Sequence, residues 1–294
     1  MKLPFDAHNH IHLGPSPPTF ALLKESGRTG PPDEGSLALS GMAIMSTHPQ
    51  DFEVITRLST SLPEFQPGVR IVPCYGVHPW FLHELEDRHW EVLDGSTVPS
   101  WVAEIELLVE GNPGATVGEI GLDGFHFRPD TGELSSSMEK QVEAFELQMN
   151  LAARLRRPVS VHTVQCFGHL MESLSRIKKS KYGLPPRIYF HAFGGKLGTV
   201  DQLLALCGKG KGKALSVYFG FAPVCNFRSP KTVEVIRKVG IARLVLETDH
   251  EDAMLVVESM CHGISLIAEA LNETEESIIQ RTNQNAYELY GLSD

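Results

Sequence analysis

Short apolar runs alternate along this chain with longer stretches in which apolar residues return every three or four positions. Runs such as Ile71-Val-Pro-Cys-Tyr75, Ile188-Tyr-Phe190 and Leu244-Val-Leu246 are apolar at nearly every position, as strands covered on both faces are. The pattern predicts eight strands, near residues 3–10, 37–46, 70–77, 115–121, 159–162, 187–192, 214–220 and 243–249. Helical periodicity is clearest over 138–156, where Met138, Val142, Phe145, Met149 and Ala152 form one stripe. It returns over 101–110, 166–179, 199–207, 229–239, 256–270 and 275–289. Strands alternating with helices build a parallel α/β sheet. Eight strands alternating in this way along one continuous chain predict a closed TIM (β/α)8 barrel rather than an open doubly wound sheet. No internal repeat or linker interrupts the pattern, so residues 1–294 are expected to form a single domain.

A barrel assigns a meaning to each loop. Segments after strands lie on the catalytic face, and segments before strands lie on the opposite, stabilising face. The Gly/Pro-rich stretch 14–35 follows the first strand and is expected to overhang the catalytic rim. The stretch Gly208-Lys-Gly-Lys-Gly-Lys213 resembles a phosphate cradle. However, it runs from a helix into a strand and lacks the GxxxxGK[ST] spacing, so it reads as a solvated turn.

Composition narrows the classes. No 18-residue apolar run offers a membrane span, and the first residues lack the apolar stretch of a secretory signal. The five cysteines are scattered without a CxxC, which disfavours a disulfide framework or zinc ribbon and fits a reducing compartment. The formal net charge of −10 shows no broad basic face for coating duplex nucleic acid. A nucleic-acid substrate would be gripped at a short end, with metal ions supplying the positive charge.

The candidate chemistry sits at strand ends. In Asp6-Ala-His8-Asn-His10, residues two apart on a strand face the same way, about 7 Å apart along it, so both imidazoles can hold one cation. This HxH alone is equally well two hydrogen-bonded core histidines. Four further strands close with Glu119, His162, His191 and Asp249, each ending an apolar run. A buried carboxylate there is costly unless paired or metal-bound. Together His8, His10, Glu119, His162, His191 and Asp249 make a mixed nitrogen/oxygen set. Such a set suits two divalent cations of zinc, manganese or iron better than calcium, with magnesium also admissible. Paired cations make hydroxide available near neutral pH and polarise a P=O or C=O bond. Glu119 is suited to bridge them, and Asp249 is the candidate general base. His12 continues the alternation and is expected outside the ligand set.

These residues resemble the TatD-like metal-dependent hydrolases, or TatD DNases, of the amidohydrolase-like barrels. The resemblance is carried by Asp6-Ala-His8-Asn-His10, Gly76-Val-His78-Pro79, Gly118-Glu-Ile-Gly-Leu-Asp123, Pro158-Val-Ser-Val-His162, His191-Ala-Phe-Gly-Gly195, Glu247-Thr-Asp249 and Thr282-Asn-Gln-Asn285-Ala-Tyr-Glu-Leu-Tyr290. It spans nearly the whole chain and includes similarity to the fungal subgroup described as Cut9-interacting Scn1-like proteins. It implies phosphodiester hydrolysis, typically of DNA. It also implies one metal on His8, His10, Glu119 and Asp249, a second on Glu119, His162 and His191, and a substrate-facing His78. The subgroup implies a cytoplasmic or nuclear protein, not a secreted one, and leaves room for a protein partner. Two departures stand out: His162-Thr-Val164 lacks the family's arginine, and Asp249 is followed by His250-Glu-Asp instead of Ala-Pro. Segments 14–35 and 92–101 also read as longer loops. The missing arginine keeps a small amide, lactone or ester open as substrate, and the altered loops keep open an interaction protein that retains its metal site.

Overall fold

A computed structural model describes residues 3–14, 39–65, 68–85, 90–93, 95–207 and 216–293. Eight parallel strands form one sheet: β1 (Phe5–Asn9), β2 (Gly41–Met45), β3 (Arg70–Tyr75), β6 (Thr116–Asp123), β7 (Val159–Val164), β8 (Arg187–Phe190), β9 (Ser216–Gly220) and β10 (Leu244–Val245). They neighbour one another in that order. Around them run α1 (Phe52–Phe65), α2 (Ser100–Gly111), α3 (Met138–Leu155), α4 (Phe167–Lys178), α5 (Leu197–Cys207), α6 (Thr232–Val239), α7 (Val256–Leu271) and α8 (Glu275–Tyr290). This is the TIM-barrel architecture that the alternation predicts. No helix among the described residues is long and apolar enough to cross a membrane.

The sheet closes at a seam between its first and last strands. The ladder of β10 on β9 has only Leu244 and Val245, because the chain then turns its hydrogen bonds to β1. Ala7 N–H donates to the Leu246 carbonyl (2.8 Å), Asp249 N–H to His8 (3.0 Å) and His10 N–H to His250 (2.8 Å). Asp6 stitches the same seam with its side chain, accepting from Thr248 N–H (3.1 Å) and from the Thr248 hydroxyl (2.7 Å). Two candidate site residues, His8 and Asp249, therefore hang directly on the closure.

Helix α8 locks that closure from outside. Asn283 accepts from Phe5 N–H (2.8 Å) and donates to the Leu3 carbonyl (2.7 Å), so one amide pairs with the start of β1 as a neighbouring strand would. Asn285 donates to the carbonyls of Ile241 and Leu244 (2.8 and 2.7 Å). The Tyr290 hydroxyl donates to Ala7 (2.6 Å). Thr274 caps the helix start by accepting from Ser277 N–H, and Gly291 ends it in the left-handed region (φ 68°). The closing motif Thr282-Asn-Gln-Asn285 is thus a fastening for the barrel.

Two elements differ from expectation. Helix α1 was not foreseen, because Thr56, Ser59, Thr60, Ser61 and Pro63 dilute its pattern. Its buried Phe52, Ile55, Leu58 and Leu62 nevertheless keep helical spacing. The hydroxyls of Thr56 and Ser59 turn back onto the carbonyls of Phe52 and Thr56, the local bonding that lowers helix propensity. The segment 92–101, expected as a loop, contains the antiparallel hairpin β4 (Trp90–Leu93) and β5 (Ser96–Pro99), then the start of α2. The Asp94-Gly95 dipeptide is the hairpin signal there, and Gly95 supplies the positive φ (77°). Of the 14–35 segment only Gly14 is described; the remainder, and all of 208–213, lie outside the described residues.

Because Asn283 and Asn285 are buried and each satisfies strand backbone, truncating either to alanine strands those groups. Asn283→Ala and Asn285→Ala should each destabilise the fold by about 1–3 kcal/mol. Urea unfolding reads this directly; wild-type midpoints for both variants would remove α8 from the role of fastening.

Candidate metal centre

The strand ends bring the predicted residues to one rim. His8 lies in β1 and His10 just beyond it; Glu119 lies in β6 and His162 in β7; His191 directly follows β8, and Asp249 follows β10. A break in the β6–β7 register between Val117 and Ile120 falls at Glu119. Close packing holds the motif Gly118-Glu-Ile-Gly-Leu-Asp123: a side chain at Gly121 would run into the His162 carbonyl, and one at Gly76 would lie 2.8 Å from the Glu119 carbonyl.

Glu119 is at the centre, with 2% of its surface exposed. Its two carboxylate oxygens face different histidines. Oε2 lies 3.5 Å from His8 Nε2 and 3.1 Å from His10 Nε2. Oε1 lies 2.5 Å from His191 Nε2, 3.1 Å from His162 Nδ1 and 3.4 Å from His78 Nε2. Asp249 Oδ1 completes the first set, 3.6 Å from both His8 and His10. Within each set two imidazole nitrogens approach closely: His8 and His10 at 3.2 Å, His162 and His191 at 3.2 Å.

The second ring nitrogen of each histidine shows what the first is free to do. His10 Nδ1 meets the Met45 carbonyl at 3.0 Å; a carbonyl only accepts, so Nδ1 carries the proton and Nε2 has a bare lone pair in the neutral ring. His162 is reversed. Its Nε2 meets the Asp123 carboxylate at 3.0 Å, leaving Nδ1 bare toward Glu119. His8 Nδ1 pairs with the Ser160 hydroxyl (3.0 Å). His78 has the opposite arrangement, because its Nδ1 accepts from the backbone N–H of Trp80 (3.3 Å). Its neutral form therefore carries the proton on Nε2 and donates into the site. Burial, opposed by Glu119 and reinforced by His162, brings the His78 pKa down to about 4, so that neutral donor persists at physiological pH.

These residues fit divalent cations. Nitrogen and oxygen donors on a tetrahedral ion with bonds of about 2.0–2.1 Å lie about 3.3 Å apart. The separations around Glu119 Oε2 run from 3.1 to 3.6 Å. Glu119 Oε1, though ringed by three imidazole nitrogens, makes no hydrogen bond of ordinary geometry to them, as an atom awaiting a further group would. Three overlapping triads have their donor atoms within 4.8 Å of one another: His8/His191/Asp249, His8/His10/Glu119 and His78/Glu119/His162. Burial pushes the Glu119 pKa up, but its electrostatic interaction with the surrounding imidazoles of His191, His78 and His8 outweighs that and holds the carboxyl well below its usual range. It is an anion in a dry pocket.

Several residues in the arrangement had no assigned role in the sequence reading. Asp123 gathers the indole N–H of Trp80 (2.7 Å), His162, and the backbone N–H groups of Phe125 and His126 (2.7 and 2.9 Å). Gln141 of α3 clamps its backbone. Glu247 accepts from the Tyr189 hydroxyl and from Ala192 N–H (2.7 Å). Burial, reinforced by Asp249, raises its pKa well above the usual range. Cys225 donates its thiol to Asp249 Oδ2 (3.3 Å). Asp6, Asp123 and Glu247 lie inside the conspicuous motifs, so position within a motif was the available signal; Cys225 had none. His12 stays outside the set, its side chain covered and 3.4 Å from Asp51. At the position of the family's arginine stands Val164, the last residue of β7.

Known proteins resemble this chain in sequence and in fold. The chain matches the family described as TatD related DNase over residues 5–291. It is 25% identical to Cut9-interacting protein scn1 of Schizosaccharomyces pombe, over 85% of this chain and 91% of that one. It is 26% identical to deoxyribonuclease TATDN3 of Homo sapiens, over 85% and 83%. The crystal structure of the TatD homologue YjjV from Escherichia coli superposes with a TM-score of 0.72 over 98% of both chains, at 22% identity. Barrel, clustered metal-type donors and a match over nearly the full length together show that this chain belongs to the TatD-related DNase family of metal-dependent hydrolases.

Proposed function

We propose that this protein is a phosphodiesterase that trims nucleic-acid ends with a pair of divalent cations. The observation that carries the proposal is the division of labour at Glu119, whose two oxygens address two separate histidine sets. On this reading His8, His10 and Asp249 hold one ion, His162 and His191 hold the other, and Glu119 is shared. The mixed nitrogen/oxygen donors suit zinc or manganese, with magnesium admissible. Bound there, such ions supply Lewis acidity and a water acidic enough to ionise near neutral pH.

The chain's own groups do the remainder. Asp249 Oδ2, turned from the histidines toward Cys225, is placed to accept the proton that the attacking water gives up. His78 donates from Nε2 to an oxygen of the scissile phosphate, its tautomer set by Trp80 N–H. The nuclease names of relatives such as TATDN3 favour phosphodiester over amide or lactone substrates. Three buried free cysteines (Cys74, Cys166, Cys207) suit a reducing compartment, and we place the protein in the cytoplasm or nucleus as a single catalytic domain.

Metal analysis of the purified protein should give nearly two equivalents per chain. Glu119→Gln should reduce that content and lower hydrolysis of a bis-aryl phosphodiester by more than about a hundredfold, beyond the typical loss for a residue that merely supports a ligand. A Glu119→Gln protein as active as wild type would end the bridging assignment. His78→Gln should retain both metal equivalents yet lose about a hundredfold in kcat/KM, the scale of one lost transition-state donor. Loss of metal from that variant would instead make His78 a ligand. Chelation should lower the melting temperature and added zinc or manganese restore it, by linkage of binding to folding.

A further inference from the structure

The loop after β6 displays two phenyl rings at the edge of the site. Among the described residues, Phe125 (59% exposed) and Phe127 (48%) are the aromatic rings in the set of exposed large apolar side chains; the others are aliphatic. Their centroids lie 6.1 Å apart, edge to face. The loop that carries them is built. Asp123 accepts from the N–H groups of Phe125 and His126, Phe127 forms an antiparallel bridge with Leu134, and Ser135 N–H donates to the His126 carbonyl (3.0 Å). In extended chain, alternate residues point to opposite sides. His126 turns inward and stacks on Trp80 at 4.0 Å, while Phe125 and Phe127 turn outward.

This loop is physically continuous with the candidate metal centre. The Asp123 carboxylate that holds its backbone also meets His162, so Phe125 and Phe127 follow a residue touching a candidate ligand by two and four positions, at most about 7 and about 14 Å of chain. The loop is not basic. Arg128 is committed to Asp130 through two contacts (3.2 and 2.8 Å), and Val164 stands where a cation would have met phosphate. Exposed rings without cations suit the π-face of a nucleobase better than a phosphate, and stacking of this kind tolerates any base.

We propose that Phe125 and Phe127 are a base-stacking platform that grips the nucleotide beside the scissile bond of a single-stranded end. The proposal rests on the phosphodiesterase reading and adds a binding site to it. Affinity on this side of the site comes from bases, so removing a base costs what removing the rings costs.

The test uses the full chain and the double variant Phe125→Ser/Phe127→Ser, whose substitutions are exposed. With the metal-loaded protein and a hydrolysis-resistant phosphorothioate oligothymidylate, fluorescence anisotropy of the labelled oligomer should show Kd raised about tenfold, within the range for losing a stacked base. Placing abasic residues at the oligomer's ends should cost wild type about as much and the variant nothing further. Phe125→Tyr/Phe127→Tyr should restore binding. On methyl p-nitrophenyl phosphate the serine variant should match wild type, whereas KM for the oligomer should rise. An unchanged Kd, or a variant still sensitive to abasic ends, overturns the platform. A variant altered only in self-association assigns the rings to a protein contact and overturns it too. If wild type hydrolyses no phosphodiester, the functional reading falls by itself, and the anisotropy measurement still decides the platform.

Discussion

A carboxylate with 2% of its surface exposed, ringed by five imidazoles within 3.6 Å, sets the terms for the rest of this molecule. Burying an ion in a dry interior is costly, and the cost is met only by opposite charge or well-placed donors. Glu119 stays ionised because histidines from β1, β3's following loop, β7 and β8 converge on it. Each of those histidines must therefore present a chosen ring nitrogen, and the choice is made one layer out. The Met45 carbonyl sets His10, Asp123 sets His162 and Trp80 N–H sets His78. On the proposed reading, the difference between a metal donor and a proton donor is thus set by backbone and carboxylate groups behind the rings.

The same constraint reaches into the fold. His8 and Asp249 flank the seam where the barrel closes, and their separation depends on the hydrogen bonds joining β1 to the chain after β10. Asp6 accepts from His8 N–H and from Thr248, so one buried side chain supports both strands that carry these residues. Burial, only partly offset by hydrogen bonds from Thr248, His8 and Asn9, raises its pKa to about 7. From outside, α8 fixes the start of β1 through Asn283 and the start of β10 through Asn285. Site geometry and barrel closure are one set of contacts.

The candidate ligand positions were legible because a polar residue ending an apolar strand has few ways to be satisfied, and five such endings converge only in a closed barrel. Helix α1 was less legible, since Ser and Thr back-bonding masks its stripe. Strand β10 reads longer than its ladder because Leu246 pairs across the seam instead of with β9. Asp123 was visible only as part of Gly-Glu-Ile-Gly-Leu-Asp, and its function depends on where Trp80 and His162 come in space. His78 needed the structure most. Gly-x-His-Pro is compatible with an ordinary turn, and only the Trp80 N–H on Nδ1 distinguishes a donor from a ligand.

Departures from the family pattern acquire a direction once placed in space. The ligand positions cannot drift without exposing a buried charge, so they are held by energetics as much as by chemistry. Val164 and the residues after Asp249 are under no such constraint. His250 contributes to the seam only through its carbonyl, an atom every residue has, so that position is open to change. Val164 leaves the β7 end without a cation, while the adjoining β6 loop extends two phenyl rings from the same Asp123 that supports His162. An apolar residue at the β7 end and two exposed rings in the β6 loop thus occur on neighbouring strands. On the proposed reading, a substrate held by its bases at the β6 loop needs no cation at the β7 end, so the two departures fit one another.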